Sequence, residues 1–185
     1  MTTPRILLAS HSSEGHTIEI AQRMADRLRL GGATIDLVAA EGAPSPEGYD
    51  GVILGDSFHL GRHSRQLTGY AGRYGQELGR VPVALFQVSL TPATDDDEHR
   101  AKADHLLRQF LDATGLQPEL VGMFAGALAY TRYGWLKVRI MRRIAAAEGR
   151  DLDTSRDHDY TDWAAVEGFA DDALALISST PATNH

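Results

Sequence analysis

A short apolar strand, Arg5-Ile6-Leu7-Leu8-Ala9, runs into Ser10-His11-Ser12-Ser13-Glu14-Gly15-His16-Thr17 and then into a helical stripe, and this junction constrains the fold more than any other part of the chain. Small hydroxyl residues around one glycine let several backbone N–H groups converge where the helix begins. The helix dipole favours an anion at that end, and Ser12, Ser13 and Thr17 add hydroxyl donors, so the junction reads as a phosphate site. The loop holds no Lys or Arg, which leaves neutral donors to do the work. It lacks the Gly-Lys-Ser/Thr ending of a nucleotide-triphosphate loop and the three spaced glycines of a dinucleotide fingerprint.

Beyond this junction, strand-like runs alternate with helical ones. Strands are expected at Ile6–Ala9, Thr34–Val38, Gly51–Leu54, Val81–Val88 and Leu120–Phe124, the last led in by Pro118 and Glu119. Ile18, Ala21, Met24, Ala25 and Leu28 form one helical stripe, and Ala103, Leu106, Leu107, Phe110 and Leu111 form another. Trp163, Val166, Ala170, Ala173, Leu174 and Ile177 give a closing helix, while Ser64 to Leu78 is a glycine-weakened helical stretch. Thr94 and Asp97 have the spacing of a capping box, and the acids Asp95–Glu98 suit the first turn of a helix running to about Thr114. Alternation of this kind implies an α/β fold, a parallel sheet with helices on both faces. One domain over residues 1–177 is expected, followed by a disordered tail over 178–185.

Composition removes several function classes. The chain has no cysteine, so thiol catalysis, disulfides and thiolate-held iron–sulfur or zinc centres are excluded, and redox chemistry would need a bound cofactor. A net charge of −7 argues against nucleic acid as a partner. The N-terminal apolar run is too short for a signal peptide, and the expected location is the cytoplasm. His59 and His63 stand four apart with Gly61 between them, and His11 and His16 lie across the expected crevice. No carboxylate is in register with them, so no metal is expected; a histidine here better suits proton transfer, with His59 and His63 the candidates.

The phosphate loop resembles that of flavodoxins, whose Ser/Thr-x-x-Gly-x-Thr form matches Ser12 to Thr17 and grips the phosphate of FMN. That resemblance implies a flavodoxin-like doubly wound sheet of five parallel strands in the order 2-1-3-4-5. In such sheets the ligand sits at the carboxyl ends of the strands where the order reverses. Three loops then surround one crevice: Ser10–Thr17, Gly55–His63 and Ser89–Asp97. A flat side chain from the second, Phe58 or His59, would lie against the flavin ring.

The last third is more distinctive. On a helix starting near Trp135, Leu136, Ile140, Met141 and Ile144 share one face, with Arg139, Arg142, Arg143 and Trp135 gathered opposite. Arg132 and Arg150 bracket this basic face, which suits an anionic membrane surface or an acidic substrate. Ala-Gly-Ala-Leu-x-Tyr-x-Arg-Tyr-x-Trp at 125–135, this basic helix, Asp153-Thr154 and Tyr160-Thr161-Asp162-Trp163 together resemble the menaquinone-dependent protoporphyrinogen IX dehydrogenase family. The resemblance implies an FMN enzyme of haem biosynthesis that oxidises protoporphyrinogen IX and passes the electrons to a quinone at the membrane. It implies that Ser12, Ser13, Gly15, His16 and Thr17 bind the FMN phosphate. Asp56, Ser57, Phe58, His59 and Gly61, with Ser89, Leu90 and Thr91, would flank the ring. Here His16 stands where the family commonly has an amide, and Asp95–Glu98 makes the extended loop acidic. Arg132, Trp135, Arg139, Arg142 and Arg143 would face the substrate or a peripherally contacted membrane. A flavodoxin-type electron carrier, a small FMN-dependent quinone reductase and a relative that has lost flavin remain alternatives, and homo-oligomerisation stays open.

Overall fold

The computed structural model describes residues 3–12, 15–57, 63–89, 97–125, 127–128, 158–159 and 161–180. Five parallel strands form one sheet: β1 (Arg5–Ser10), β2 (Thr34–Ala39), β3 (Gly51–Ser57), β4 (Val83–Ser89) and β5 (Leu120–Ala125). Their order is β2-β1-β3-β4-β5, the one implied by the sequence, so the direction of winding reverses between β1 and β3. The helices are α1 (His16–Leu30), α2 (Arg65–Arg73), α3 (Gly75–Leu78), α4 (Asp97–Thr114) and α5 (Trp163–Ser179). A small antiparallel ribbon of β6 (Ala127–Leu128) and β7 (His158–Asp159) was not anticipated from the sequence.

Strand alternation divides the core in two. Ile6, Leu8, Ile53, Ala84, Phe86 and Phe124 point to one face, where Ile20, Met24 and Leu28 of α1 and Val166, Phe169 and Ile177 of α5 cover them. Leu7, Ala9, Val52, Leu54, Val83 and Leu85 point to the other, under Leu67 and Tyr70 of α2, Leu78 of α3 and Leu107 and Phe110 of α4. Parallel strands buried on both faces explain why their sequences read as continuous apolar runs.

Several boundaries differ from the sequence expectation. β3 continues through Gly55, Asp56 and Ser57, residues expected to be loop. β4 begins two residues later than Val81, because Val81 and Pro82 precede the strand. The helix expected over Ser64–Leu78 breaks at Tyr74 into α2 and α3, with Ser64 capping α2 by accepting from the Leu67 N–H at 3.1 Å. On α1, Ile18 is half exposed while Thr17 and Ile20 are buried, so the buried stripe lies slightly to one side of the expected one. α5 runs to Ser179, two residues into the segment expected to be tail.

Two carboxylates on this frame are held below their usual range. At Asp36 the hydrogen bond from the Tyr49 hydroxyl is the larger cause and that from Arg5 the next, both at 2.7 Å. At Asp171 the cause is the paired hydrogen bonds from Arg27, at 2.8 and 2.7 Å, which clamp α1 to α5. A folded-state pKa below the unfolded one means the stabilisation is complete above the ordinary carboxylate range. It is lost as pH falls below that range through the depressed value. Urea unfolding from pH 7 to pH 2 should therefore show a loss of stability below about pH 4. Asp36→Asn should flatten that acid limb; an unchanged slope would remove Asp36 from the account.

Candidate cofactor site

The junction after β1 lies where the strand order reverses. The His11 N–H donates to the Gly55 carbonyl at 2.9 Å, stitching the loop to the end of β3. The Gly15 N–H donates to Ser12 Oγ at 2.8 Å, which folds the loop back on itself. Gly15 adopts φ +96°, a conformation that costs an L side chain and suits glycine. Its carbonyl accepts from the Ile18 and Glu19 N–H groups at 3.0 and 3.3 Å, so α1 starts cleanly at His16. The first amides of the helix, at His16 and Thr17, then point out of its end by ordinary helix geometry. This donor set of backbone N–H groups and hydroxyls, at the positive end of α1, fits a phosphate monoester.

Three histidines expected around the crevice occupy three separate places. His11 Nδ1 lies 3.0 Å from Glu41 Oε1, in the short 3₁₀ turn Ala40–Gly42 after β2. His16 faces α5: its Nε2 is 2.6 Å from Thr161 Oγ1, its Nδ1 is 3.1 Å from Glu19 Oε2, and its ring meets Trp163 edge-on at 6.0 Å. Thr161 gives its one hydroxyl hydrogen to the Ala125 carbonyl at 3.0 Å, so in its contact with His16 the Nε2–H donates. Glu19 Oε2 faces the other ring nitrogen, one turn further along α1.

His63 lies on the opposite face of the sheet. Its Nδ1–H donates to Asp56 Oδ2 at 3.0 Å, and its ring stacks on Phe110 of α4 with centroids 4.2 Å apart. The same Asp56 oxygen accepts from the Ser64 N–H at 2.8 Å. Asp56 is fully buried and His63 only 7% exposed, so both belong to the packing between β3, α2 and α4. The Asp56 carboxylate thus ties the end of β3 to the residues that lead into α2. Among the described residues no group of three His, Cys, Asp or Glu side chains is placed to hold a metal ion.

Ser12, Gly15, His16 and Thr17 come together at the junction, and Ser57 ends β3 beside it. Ser89 ends β4 on the same side of the sheet. Ser13, Phe58, His59, Gly61, Leu90 and Thr91 lie outside the described residues, as do Arg132, Trp135, Arg139, Arg142, Arg143 and the capping residue Thr94. The sequence reading did not single out Glu41, Gln87 or Phe110 as neighbours of the site. Gln87 had a visible signal, being the one amide in the apolar run Val83-Ala84-Leu85-Phe86-Gln87-Val88. It is 1% exposed and stands beside Asp56 in the strand register.

A flavodoxin domain model matches residues 7–155. Protoporphyrinogen IX dehydrogenase (quinone) of Leishmania major is 33% identical over 183 residues, covering 97% of this chain and 78% of the relative. The chain belongs to this flavodoxin-domain family. The protein of the same name from Escherichia coli K12 is 28% identical over 179 residues, covering 96% of this chain and 98% of its own length. Among solved structures, a Fusobacterium nucleatum flavodoxin variant with flavin mononucleotide bound superposes with a TM-score of 0.51 at 11% identity, over 95% of this chain and 96% of that one. The likeness to the Leishmania major relative, unlike the domain match, covers the segment where Thr161 and Trp163 pack against His16.

Proposed function

We propose that this chain is an FMN-dependent dehydrogenase that oxidises protoporphyrinogen IX to protoporphyrin IX with a quinone as electron acceptor. The observation that carries the reading is the Ser12–Gly15 turn into the amino-terminal end of α1, at the reversal point of a five-stranded parallel sheet, where helix geometry leaves amides for an anion. The full-length likeness to relatives bearing that activity in their names supports the choice of substrate.

Bound FMN would supply the two-electron redox chemistry between the porphyrinogen and the quinone. The chain's part is to hold and orient. Ser12, Gly15, His16 and Thr17 receive the phosphate, assisted by the α1 dipole. Ser57 and the end of β4 border the ring side of the crevice. The proton released from a pyrrole N–H goes to His59 or to water, because His63 is committed to Asp56 and Phe110. No described helix is long and apolar enough to cross a membrane. The basic set Arg132, Trp135, Arg139, Arg142 and Arg143 is proposed as the face that meets the acidic substrate or an anionic membrane surface bearing the quinone.

The test is anaerobic mixing of the FMN-loaded protein with protoporphyrinogen IX, followed by flavin absorbance. Bleaching of the flavin with stoichiometric porphyrin is the expected result. A flavin that stays oxidised would favour an electron carrier or a quinone reductase instead.

A further inference from the structure

Thr161 hydrogen-bonds the carboxyl-terminal signature to the phosphate junction, although 145 positions separate it from His16. Its hydroxyl joins two elements, and its backbone lies one residue before the cap of a third. The hydroxyl donates to the Ala125 carbonyl at the end of β5 and accepts from His16 Nε2 at the first turn of α1, while Asp162, the cap of α5, follows Thr161 in the chain. The start of α5 is itself well placed, since Asp162 caps it by accepting from the Ala165 N–H at 3.0 Å and Trp163 lies edge-on to His16. The amino-terminal half of the junction is secured by the His11–Gly55 and Ser12–Gly15 hydrogen bonds. Its carboxyl-terminal half runs from a glycine at positive φ into the least supported turn of a helix, and there His16 is the anchored side chain.

We propose that Thr161 is a positioning residue for the cofactor phosphate, acting through His16 to fix the amides at the start of α1. The inference rests on the FMN reading above. Thr161 is not assigned a contact with the cofactor. Its hydroxyl holds the imidazole, the imidazole holds the helix end, and the helix end presents the N–H donors. Without it, His16 loses one of its holds, and the first turn of α1 loses its hydrogen-bonded tie to the end of β5. The loss should be felt by the phosphate, since in the FMN reading the ring would lie away from α1.

Riboflavin lacks the phosphate and so separates the two effects. The full-length protein, stripped of flavin, is titrated with FMN and with riboflavin while flavin fluorescence is followed. Thr161→Val, which keeps the shape and removes the hydroxyl, should raise the Kd for FMN about tenfold and leave that for riboflavin within about twofold. Thr161→Ser should restore FMN binding, since it keeps the hydroxyl. If Thr161→Val does not fold, Thr161→Ala carries the same comparison.

Unchanged FMN affinity, an equal loss for both flavins, or a serine variant no better than valine would each overturn the proposal. So would unfolding of both the valine and the alanine variants, which would make Thr161 a residue of stability alone. A wild-type chain that binds neither flavin overturns the cofactor reading itself, and this inference falls with it.

Discussion

Asp56→Ala should destabilise the protein by about 3–5 kcal/mol, the range seen when one partner of a buried pair is removed. The carboxylate is fully buried in β3, and one of its oxygens accepts from both His63 Nδ1–H and the Ser64 N–H. Removing it strands two donors beneath α4, each costing about 1–3 kcal/mol when left without an acceptor. His63 cannot swing out to water cheaply, because its ring is stacked on Phe110 at 4.2 Å. In a domain of this size the loss corresponds to a fall in Tm of about 10 °C. Asp56→Asn keeps the shape and one acceptor, so it should lose about half as much. Urea unfolding is the measurement, with the midpoint moving and the slope constant. A cost below about 1 kcal/mol for the alanine variant would show that the pair contributes no net stability.

Asp56 also shows why part of the molecule was legible in the sequence and part was not. The parallel α/β sheet followed from the alternation of apolar runs and helical stripes, which are local features, and its order from the resemblance of the phosphate junction to that of flavodoxins. The same local reading stopped β3 at Leu54, because Gly55, Asp56 and Ser57 look like a turn. Each continues the strand for a non-local reason where the contacts are known: Gly55 because Phe86 occupies the space its side chain would need, Asp56 because His63 and Ser64 satisfy its carboxylate.

The histidines teach the same lesson. Spacing put His11, His16, His59 and His63 around one crevice, yet their partners differ. Glu41, Thr161 and Asp56 draw His11, His16 and His63 to different neighbours. The junction from Ser12 to Thr17 was readable because a loop-to-helix anion site is built mostly from backbone. The tie from Thr161 to His16 was not, since no periodicity reports a contact across 145 positions.

A side chain at Gly55 brings the other large effect. A Cβ there would run into Cζ, Cε1 and Cε2 of Phe86. Phe86 has no room to yield: it is fully buried, with Phe124 at 6.3 Å and Phe169 at 6.4 Å from its ring centre. Those two rings are themselves locked edge-to-face at 5.7 Å. Overpacking a rigid core typically costs about 1–3 kcal/mol, and Gly55→Ala should fall at or above the top of that range.

The cause can be isolated by a double-mutant cycle. Phe86→Leu alone removes ring volume and should cost about 1–3 kcal/mol, but it makes the room that an alanine at 55 needs. The double variant should then be more stable than the sum of the two changes implies, by about 2 kcal/mol. Additivity within about 0.5 kcal/mol would mean that the glycine is required for some reason other than the ring. The consequence reaches the cofactor site, because the Gly55 carbonyl accepts the His11 N–H. Displacing β3 at Gly55 pulls on the first residue of the phosphate junction. Gly55→Ala should therefore weaken FMN binding as well as the fold, and Phe86→Leu in the same chain should recover part of both.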